Sequence, residues 1–418
     1  MRRSRRELRR ERAALRALTS SALALFGAAG KASADTAIDH VQTSYSWSTY
    51  SEDPLESSKT IPNGDTKRYD ISTQQVSLAA PITETMDFSL ALTHETMSGG
   101  SPWYSAPDAA GTPVQIMSAP TIDDTRNDLQ LHANYYTEEG RLGLGGGYSK
   151  ENDYSAMSGG FDGERHFNEK NTTLSGGLGL SFDEIDPTDA AIYPTRPDHK
   201  TKQSYTGFLG LSQVLSRRLI LQGSFTYNMH FGYLSDPYKE VFLVGGGTQF
   251  GDVRPNMRQQ YAMLLRTNLH LEEVEATIHA SYQYYRDTWG VNSHSFELSW
   301  YQTFGDSLQI TPTVRYYSQG GADFYVPYLK KPGDPAKKFL QPDAFSSDYR
   351  LSPYGSLSFG AKAEYVFHTP WWRDIEWRGR ASVERYLSSG DLCLTSVSVP
   401  APGLVSFTVF SLGLTVVF

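Results

Sequence analysis

Stepping back by twos from Phe418 meets Val416, Leu414, Leu412, Phe410 and Thr408, while Val417, Thr415, Gly413, Ser411 and Val409 lie between them. Side chains of a strand alternate between its two faces. The pattern therefore predicts a closing strand with a band of large apolar groups on one face. The same period of two recurs upstream. Phe88, Leu90 and Leu92 alternate with small or polar residues, as do Leu221, Phe225, Tyr227 and Met229. Phe296, Leu298 and Trp300 alternate with Glu297, Ser299 and Tyr301, and Leu357, Phe359, Ala361, Ala363, Tyr365 and Phe367 with Ser358, Gly360, Lys362 and Glu364. Short polar turns fall at Pro81–Thr85, Glu138–Gly140, Asn168–Asn171, Val214–Arg218, Leu271–Glu273, Gly305–Ser307 and His368–Asp374. Longer or looser connections fall near 51–67, 98–125, 150–153, 186–200, 234–256, 288–292, 321–353 and 388–403. The two kinds alternate strictly and predict sixteen strands, with fourteen and eighteen as neighbouring parses. The count requires Tyr154–Phe167 to be a strand, with Phe161, Gly163, Arg165 and Phe167 on one face; as a loop it would leave an odd number.

The N-terminus gives this pattern an address. Arg2, Arg3, Arg5, Arg6, Arg9, Arg10, Arg12 and Arg16 precede a short apolar run from Ala17 to Ala29, and Ala32-Ser33-Ala34 forms an A-x-A site before Asp35. That is the layout of a cleaved signal peptide, with an apolar core too short to span a bilayer. Ser4-Arg5-Arg6-Glu7-Leu8 loosely resembles a twin-arginine signal, but ordinary export suits a barrel that must stay unfolded in transit. No Cys follows the apolar run, so no lipoprotein anchor is expected. Alternating strands behind an export signal predict an all-β chain: a transmembrane up-and-down antiparallel β-barrel of about sixteen strands over residues 35–418, after a signal peptide at 1–34. Short turns then face the periplasm, with both termini, and long loops face outward. A soluble β-sandwich with one wet face is the alternative. Phe410, Leu412, Leu414, Val416 and Phe418 resemble the terminal signal read by the barrel-assembly machinery of Gram-negative outer membranes.

Composition narrows the partners. Taking the nine Lys/Arg and two Asp/Glu of residues 1–34 from the whole chain's 38 and 46 leaves a net charge of about −15. Such acidity argues against nucleic acid. Aromatic residues make up 13% of the chain, with 26 Tyr, while mean hydropathy is negative. That combination fits strands with one wet face and aromatic girdles at both interfaces; the expected surroundings are outer-membrane lipid. The single Cys393 cannot form an internal disulfide, and no CxxCH occurs, so no cofactor is expected. No nucleophile elbow is present, and no enzyme activity is expected. Gly143–Gly147 lies in an alternating strand, not before a helix, so it is no phosphate loop. The acidic stretches Ile122–Asp128 and Phe182–Asp189 do not match a calcium loop and are expected to be solvated; no metal site is assigned.

If the apolar faces meet lipid, the intervening positions line the lumen. Arg266, His279, Gln283, Glu297, Arg315, Lys362, Glu364, Arg378, Arg380 and Glu384 are the candidates. Both signs occur close together, so cross-strand ion pairs are expected. They either brace the wall or form a charged constriction that selects solutes. General porins narrow their pore with a long loop after the fifth strand, but here that connection is the tight Lys150–Asp153 turn. Ser98–Thr125, with Trp103 and Tyr104, and Gly321–Pro353, with Lys330, Lys331, Lys337 and Lys338, are long enough to fold inward or to shield the rim. Tyr233, Tyr238, Tyr285, Trp289, Tyr317 and Phe324, joined by Tyr284 and Tyr316, fall at the outer height. They are expected either to anchor the interface or to form an aromatic platform for a ligand.

Several segments carry a family resemblance: Phe167-Asn168 with Asn171–Ser175, Arg196-Pro197-Asp198, Gly232–Lys239, Tyr285–Val291, Arg315–Gln319 with Ala322–Tyr325, and Ser347–Ser352. In that order they resemble a family of Gram-negative outer-membrane barrels catalogued only as a domain of unknown function. The resemblance implies no catalytic residues. It implies genes beside a small lipoprotein, a thioredoxin-like protein and an FMN transferase, hence an envelope redox context. Two functions stand as expectations. The first is a passive pore or export conduit with a mixed-charge lumen. The second is a non-conducting barrel that anchors or sheathes a periplasmic redox or lipoprotein partner. An open lumen separates the first from the second.

Overall fold

The computed structural model describes residues 36–118, 122–188, 190, 191, 193, 196–331, 333, 340–369, 372–397 and 401–418. The expected signal peptide, with Lys337 and Lys338, lies outside them. β1 (Gln42–Glu52), β2 (Asp70–Thr83) and β3 (Met86–Gly99) open the wall, and β4 (Pro102–Pro107) and β5 (Pro113–Met117) form a hairpin apart from it. The wall continues with β6 (Ile122–Thr137), β7 (Gly140–Lys150), β8 (Tyr154–Phe167), β9 (Thr172–Ile185), β10 (Lys200–Ser216) and β11 (Leu219–Gly232). β12 (Glu240–Val244) and β13 (Thr248–Gly251) again stand apart. β14 (Met257–Leu271), β15 (Ala276–Asp287), β16 (Asn292–Phe304) and β17 (Leu308–Gln319) follow in the wall. β18 (Leu329–Lys330) joins β12 and β13 in a three-stranded sheet. β19 (Tyr354–Thr369), β20 (Trp372–Ser389) and β21 (Phe407–Val417) complete the barrel.

Sixteen antiparallel strands close on themselves, each paired with its sequence neighbour in the wall and β21 with β1. Closure leaves no unpaired edge, which a bilayer demands. The turns alternate as the sequence pattern requires, and Tyr154–Phe167 is a strand. Ile122–Asp128 departs from expectation. It opens β6, and Asp124 and Asp128 are only 4% and 7% exposed on the inner wall; Asp183 of β9 is buried likewise. These carboxylates are not solvated loop. Period-two reading failed there because acidic residues at inward positions look the same as acidic residues in a loop.

Parity holds around the whole barrel. Leu142, Phe161, Leu178, Leu209, Met263, Leu298, Phe359 and Leu412 are exposed on the outward face, where lipid meets them. Among the described residues, the wall contains no large conventional core. Its buried apolar clusters lie at the outer end instead. Tyr69 packs with Met97 and Ile122; Val241 with Leu243, Leu329 and Phe345; and Trp289 with Val291, Ala322 and Leu351. Most of this apolar burial therefore occurs where the loops fold against one another.

Candidate functional site

The outer connections meet across the mouth of the barrel. Between β1 and β2, Arg68 pairs with Glu52 at 2.7 Å, donates to the Gly403 carbonyl of the β20–β21 connection at 3.2 Å and lies over the Tyr349 ring. Lys239, between β11 and β14, donates its Nζ to the Pro102 carbonyl at the start of β4. Its neighbour Tyr238 donates to Asp153 of the β7–β8 turn and stacks under Arg196 of the β9–β10 connection. Asp323 N donates to the Trp289 carbonyl at 2.9 Å, tying the β15–β16 turn to the β17–β19 loop. All eight outer connections thus join one network.

The two longest partners are clasped by buried charge. Arg350 bonds Asp348 and reaches Asp236 at 2.9 Å. Arg254 bonds Asp252 at 2.6 Å and Asp348 at 2.9 Å. Asp348 is 1% exposed and Asp252 6%. Both guanidiniums hold the Asp348 carboxyl well below the usual range against its burial. Charges this deep are tolerable only when paired and hydrogen-bonded. They tie the two longest outer loops to each other across the mouth, where the loops form a plug-like cap. Under the plug, Tyr50, Phe407, Tyr386, Tyr354, Tyr317 and Tyr285 form an aromatic arc on the inner wall. Phe407 lies 4.6 Å from Tyr50 and 4.5 Å from Tyr386, and Tyr317 lies 5.8 Å from Tyr354.

Lys239 differs from the other buried cations. It is 3% exposed and, among the described residues, takes part in no ion pair within 4 Å. Burial pushes its ammonium down to about 8, with Asp348 and Asp236 opposing and Arg350 and Arg68 adding to the fall. A Lys whose folded value is depressed costs stability while protonated in both states. That cost fades as pH rises from about 8 to the unfolded value near 10.5. Wild-type plug stability should therefore climb by up to about 3 kcal/mol between pH 8 and 10.5, and Lys239→Met should abolish the climb. Limited proteolysis of the outer loops across that range checks it.

The register places every lumen candidate on the inner face. Glu297 and Arg315 face each other across β16–β17 and bond at 2.6 Å; Glu364 and Arg380 do so across β19–β20 at 2.8 Å. Arg315 and Arg380 side chains remain 49% exposed, which marks open space inside the wall below the plug. Arg378 bonds Glu376 on its own strand, and His279 packs on Tyr301 at 4.3 Å. Among the described residues no ion pair involves Arg266, Lys362 or Glu384. Across the lumen, the inward positions Gly143, Gly145, Gly160, Gly177 and Gly179 leave a bare wall on β7–β9. An added Cβ on Gly143 would meet His132 Cε1 at 2.8 Å, so that wall has room for the ring, whose Nε2 bonds Asp162 at 3.0 Å.

The six outer-rim aromatics lie at the expected height but form no exposed platform. Tyr238 and Trp289 are each 4% exposed, Tyr285 and Tyr317 join the arc inside the wall, Phe324 packs on Trp289, and Tyr233 is half-buried. The lipid-side rings of these strands include Tyr282, Tyr284, Phe296 and Tyr316, with His294 bonding the Tyr282 hydroxyl at 2.8 Å. Phe410, Leu412, Leu414 and Val416 face outward on β21, and Phe418 N bonds the Val41 carbonyl at 2.9 Å. The plug residues Asp236, Lys239, Arg254, Asp348 and Arg350 carried no periodic signal, because they sit in loops.

Two further groupings bear on chemistry. Asp124, Glu151 and Asp153 bring carboxylate oxygens within 4.8 Å of one another, the one group among the described residues whose donors suit a hard cation. Tyr238 and Asn152 already hydrogen-bond two of these carboxylates. Ser204 Oγ lies 2.8 Å from His230 Nδ1, but the other ring nitrogen meets Gln260, not a carboxylate.

No curated protein matches the chain. Among solved structures, it is similar to a bacterial polysaccharide outer membrane secretin at 8% identity and a TM-score of 0.46, covering 90% of this chain and 97% of that one. It is similar to the siderophore receptor PirA from Pseudomonas aeruginosa at 10% identity and a TM-score of 0.40, covering 91% and 81%. OccK3 (OpdO) from Pseudomonas aeruginosa matches at 12% identity and a TM-score of 0.38, covering 92% and 97%. Residues 15–389 match one family along most of the chain, and the protein belongs to it: the family described as "Protein of unknown function (DUF3570)".

Proposed function

We propose that this protein is an outer-membrane barrel that is closed to the outside at rest and serves a periplasmic partner or solute through a lumen facing the periplasm. One observation carries the reading: side-chain and backbone contacts link the eight outer connections across the mouth, and buried charge on Asp236, Arg254, Asp348 and Arg350 clasps the two longest of them. A sixteen-stranded wall otherwise leaves room for an aqueous channel. Here the loops occupy its outer end with paired charge and packed rings, whereas short turns border the other end.

The reading favours an anchor or sheath over a passive pore, and it assigns no enzymatic step. A small periplasmic lipoprotein or redox protein is the kind of partner it would hold. The exposed pairs Glu297–Arg315 and Glu364–Arg380 supply a wet, mixed-charge surface inside. A second reading rests on that same wet chamber: a conduit that opens only when the plug rearranges. Vesicles loaded with a self-quenched dye separate these readings. A sheath gives no leak with or without a periplasmic extract, whereas a gated conduit leaks once the extract is added. Leak from the purified barrel alone would contradict both.

A further inference from the structure

We infer that an outward groove on β7–β11 docks a zwitterionic phospholipid of the periplasmic leaflet, with its phosphate on Arg165 and its ammonium on Glu139. The groove is an open concavity of about 550 Å³ among Leu142, Phe161, Leu178, Leu209 and Phe225. These side chains point to lipid; Phe161 and Leu178 are each 58% exposed and Leu209 63%.

Its floor is glycine. Gly163 and Gly176 pair directly across β8–β9, and Gly207 faces Leu178 across β9–β10. Glycine inside a strand weakens it and often marks a place where something else approaches closely. A Cβ on Gly207 would meet only the end of Leu178 at 3.3 Å, whereas one on Gly176 would meet the end of Leu209 at 3.2 Å and the Phe208 carbonyl oxygen at 3.3 Å. The depth of the groove therefore depends on those missing side chains. Crossing five strands at about 4.8 Å spacing, it runs for about 19 Å, a length that suits an acyl chain.

Charge selects the occupant. Arg165 is the next outward residue after Gly163 toward the β8–β9 turn. Its guanidinium bonds Glu139 at 2.6 Å, with side chains 63% and 68% exposed, and lies over the Phe167 ring at 5.5 Å. An exposed pair contributes little to stability, so the barrel does not depend on it. A headgroup with one phosphate and one ammonium meets both members of the pair. A glycerol headgroup carries the same phosphate but a neutral diol in place of the ammonium, so it leaves Glu139 without a charge partner in the headgroup. The short-turn end of the wall puts this site in the periplasmic leaflet.

Native mass spectrometry of the delipidated, refolded barrel tests the assignment, with dioleoyl phosphatidylethanolamine and dioleoyl phosphatidylglycerol titrated separately. Wild type should retain the ethanolamine lipid at least fivefold more strongly. Arg165→Gln with Glu139→Gln should erase that preference, and Gly207→Leu should lower retention of both lipids. Heat-modifiable gel mobility confirms folding; if Gly207→Leu fails it, the charge variant decides alone. Equal retention of the two lipids, or an unchanged preference in the charge variant, would overturn the proposal. Equally tight binding of a palmitoylated peptide without phosphate would assign the groove to an acylated partner. Lipid-free dimers would assign it to a second copy.

Discussion

Arg350→Ala is expected to loosen the plug while leaving the barrel wall intact. The guanidinium serves Asp348 and Asp236, and the Asp348 carboxylate is 1% exposed. Removing one member of a buried ionic group leaves uncompensated charge, at a cost of about 3–5 kcal/mol. That cost falls on loops, whose own stability lies at the low end of what a fold contains. The expected result is at least a tenfold rise in external protease cleavage within the β17–β19 connection, with unchanged heat-modifiable mobility of the barrel. Arg315→Ala provides the contrast. Its pair with Glu297 is half-exposed and should matter by less than about 1 kcal/mol, with no change in cleavage. Equal protection of the wild type and Arg350→Ala would show that the charge network does not hold the mouth.

The second large effect tests the faces of the wall. Leu412→Arg places a charge on the outward side of β21, at the middle of an eleven-residue strand. A cation at the bilayer midplane costs about 2–4 kcal/mol in a barrel. The adjacent Ser411→Arg faces the lumen, opposite Ser382 and Ser48, and should shift stability by less than about 1 kcal/mol. Denaturant unfolding of both variants in lipid vesicles measures the difference. Equal destabilisation would mean that the assignment of faces is wrong.

That assignment is legible in the sequence alone, because period two is a local property. Phe410, Leu412 and Leu414 declare their face through their neighbours, and the turn–loop alternation sets the count. The lumen positions follow by the same rule, as Arg315, Glu364 and Arg380 illustrate. The rule extends further than the outer girdle expected at the rim. Tyr317 shares the parity of Arg315, and Tyr285 that of His279 and Gln283, so both belong inside the wall; height alone places them with the girdle. The plug is not legible in this way. Arg350 and Asp236 are 114 positions apart, and neither stands in a periodic segment. Their only signal is membership of the resembling segments Gly232–Lys239 and Ser347–Ser352. Those segments, with Arg196, Trp289 and Ala322, converge on one network, which gives them a shared physical role in closing the mouth. Asp124 and Asp128 show the opposite difficulty, since nothing local distinguishes a buried inward carboxylate from a solvated one.

The central claim is that the outer mouth is closed. Single-channel recording of the purified, refolded wild-type barrel in a planar bilayer, without partners, tests it most directly. A correctly folded barrel that stays silent under applied voltage is the expected result. Steady openings in the wild type would contradict the account and establish a passive pore.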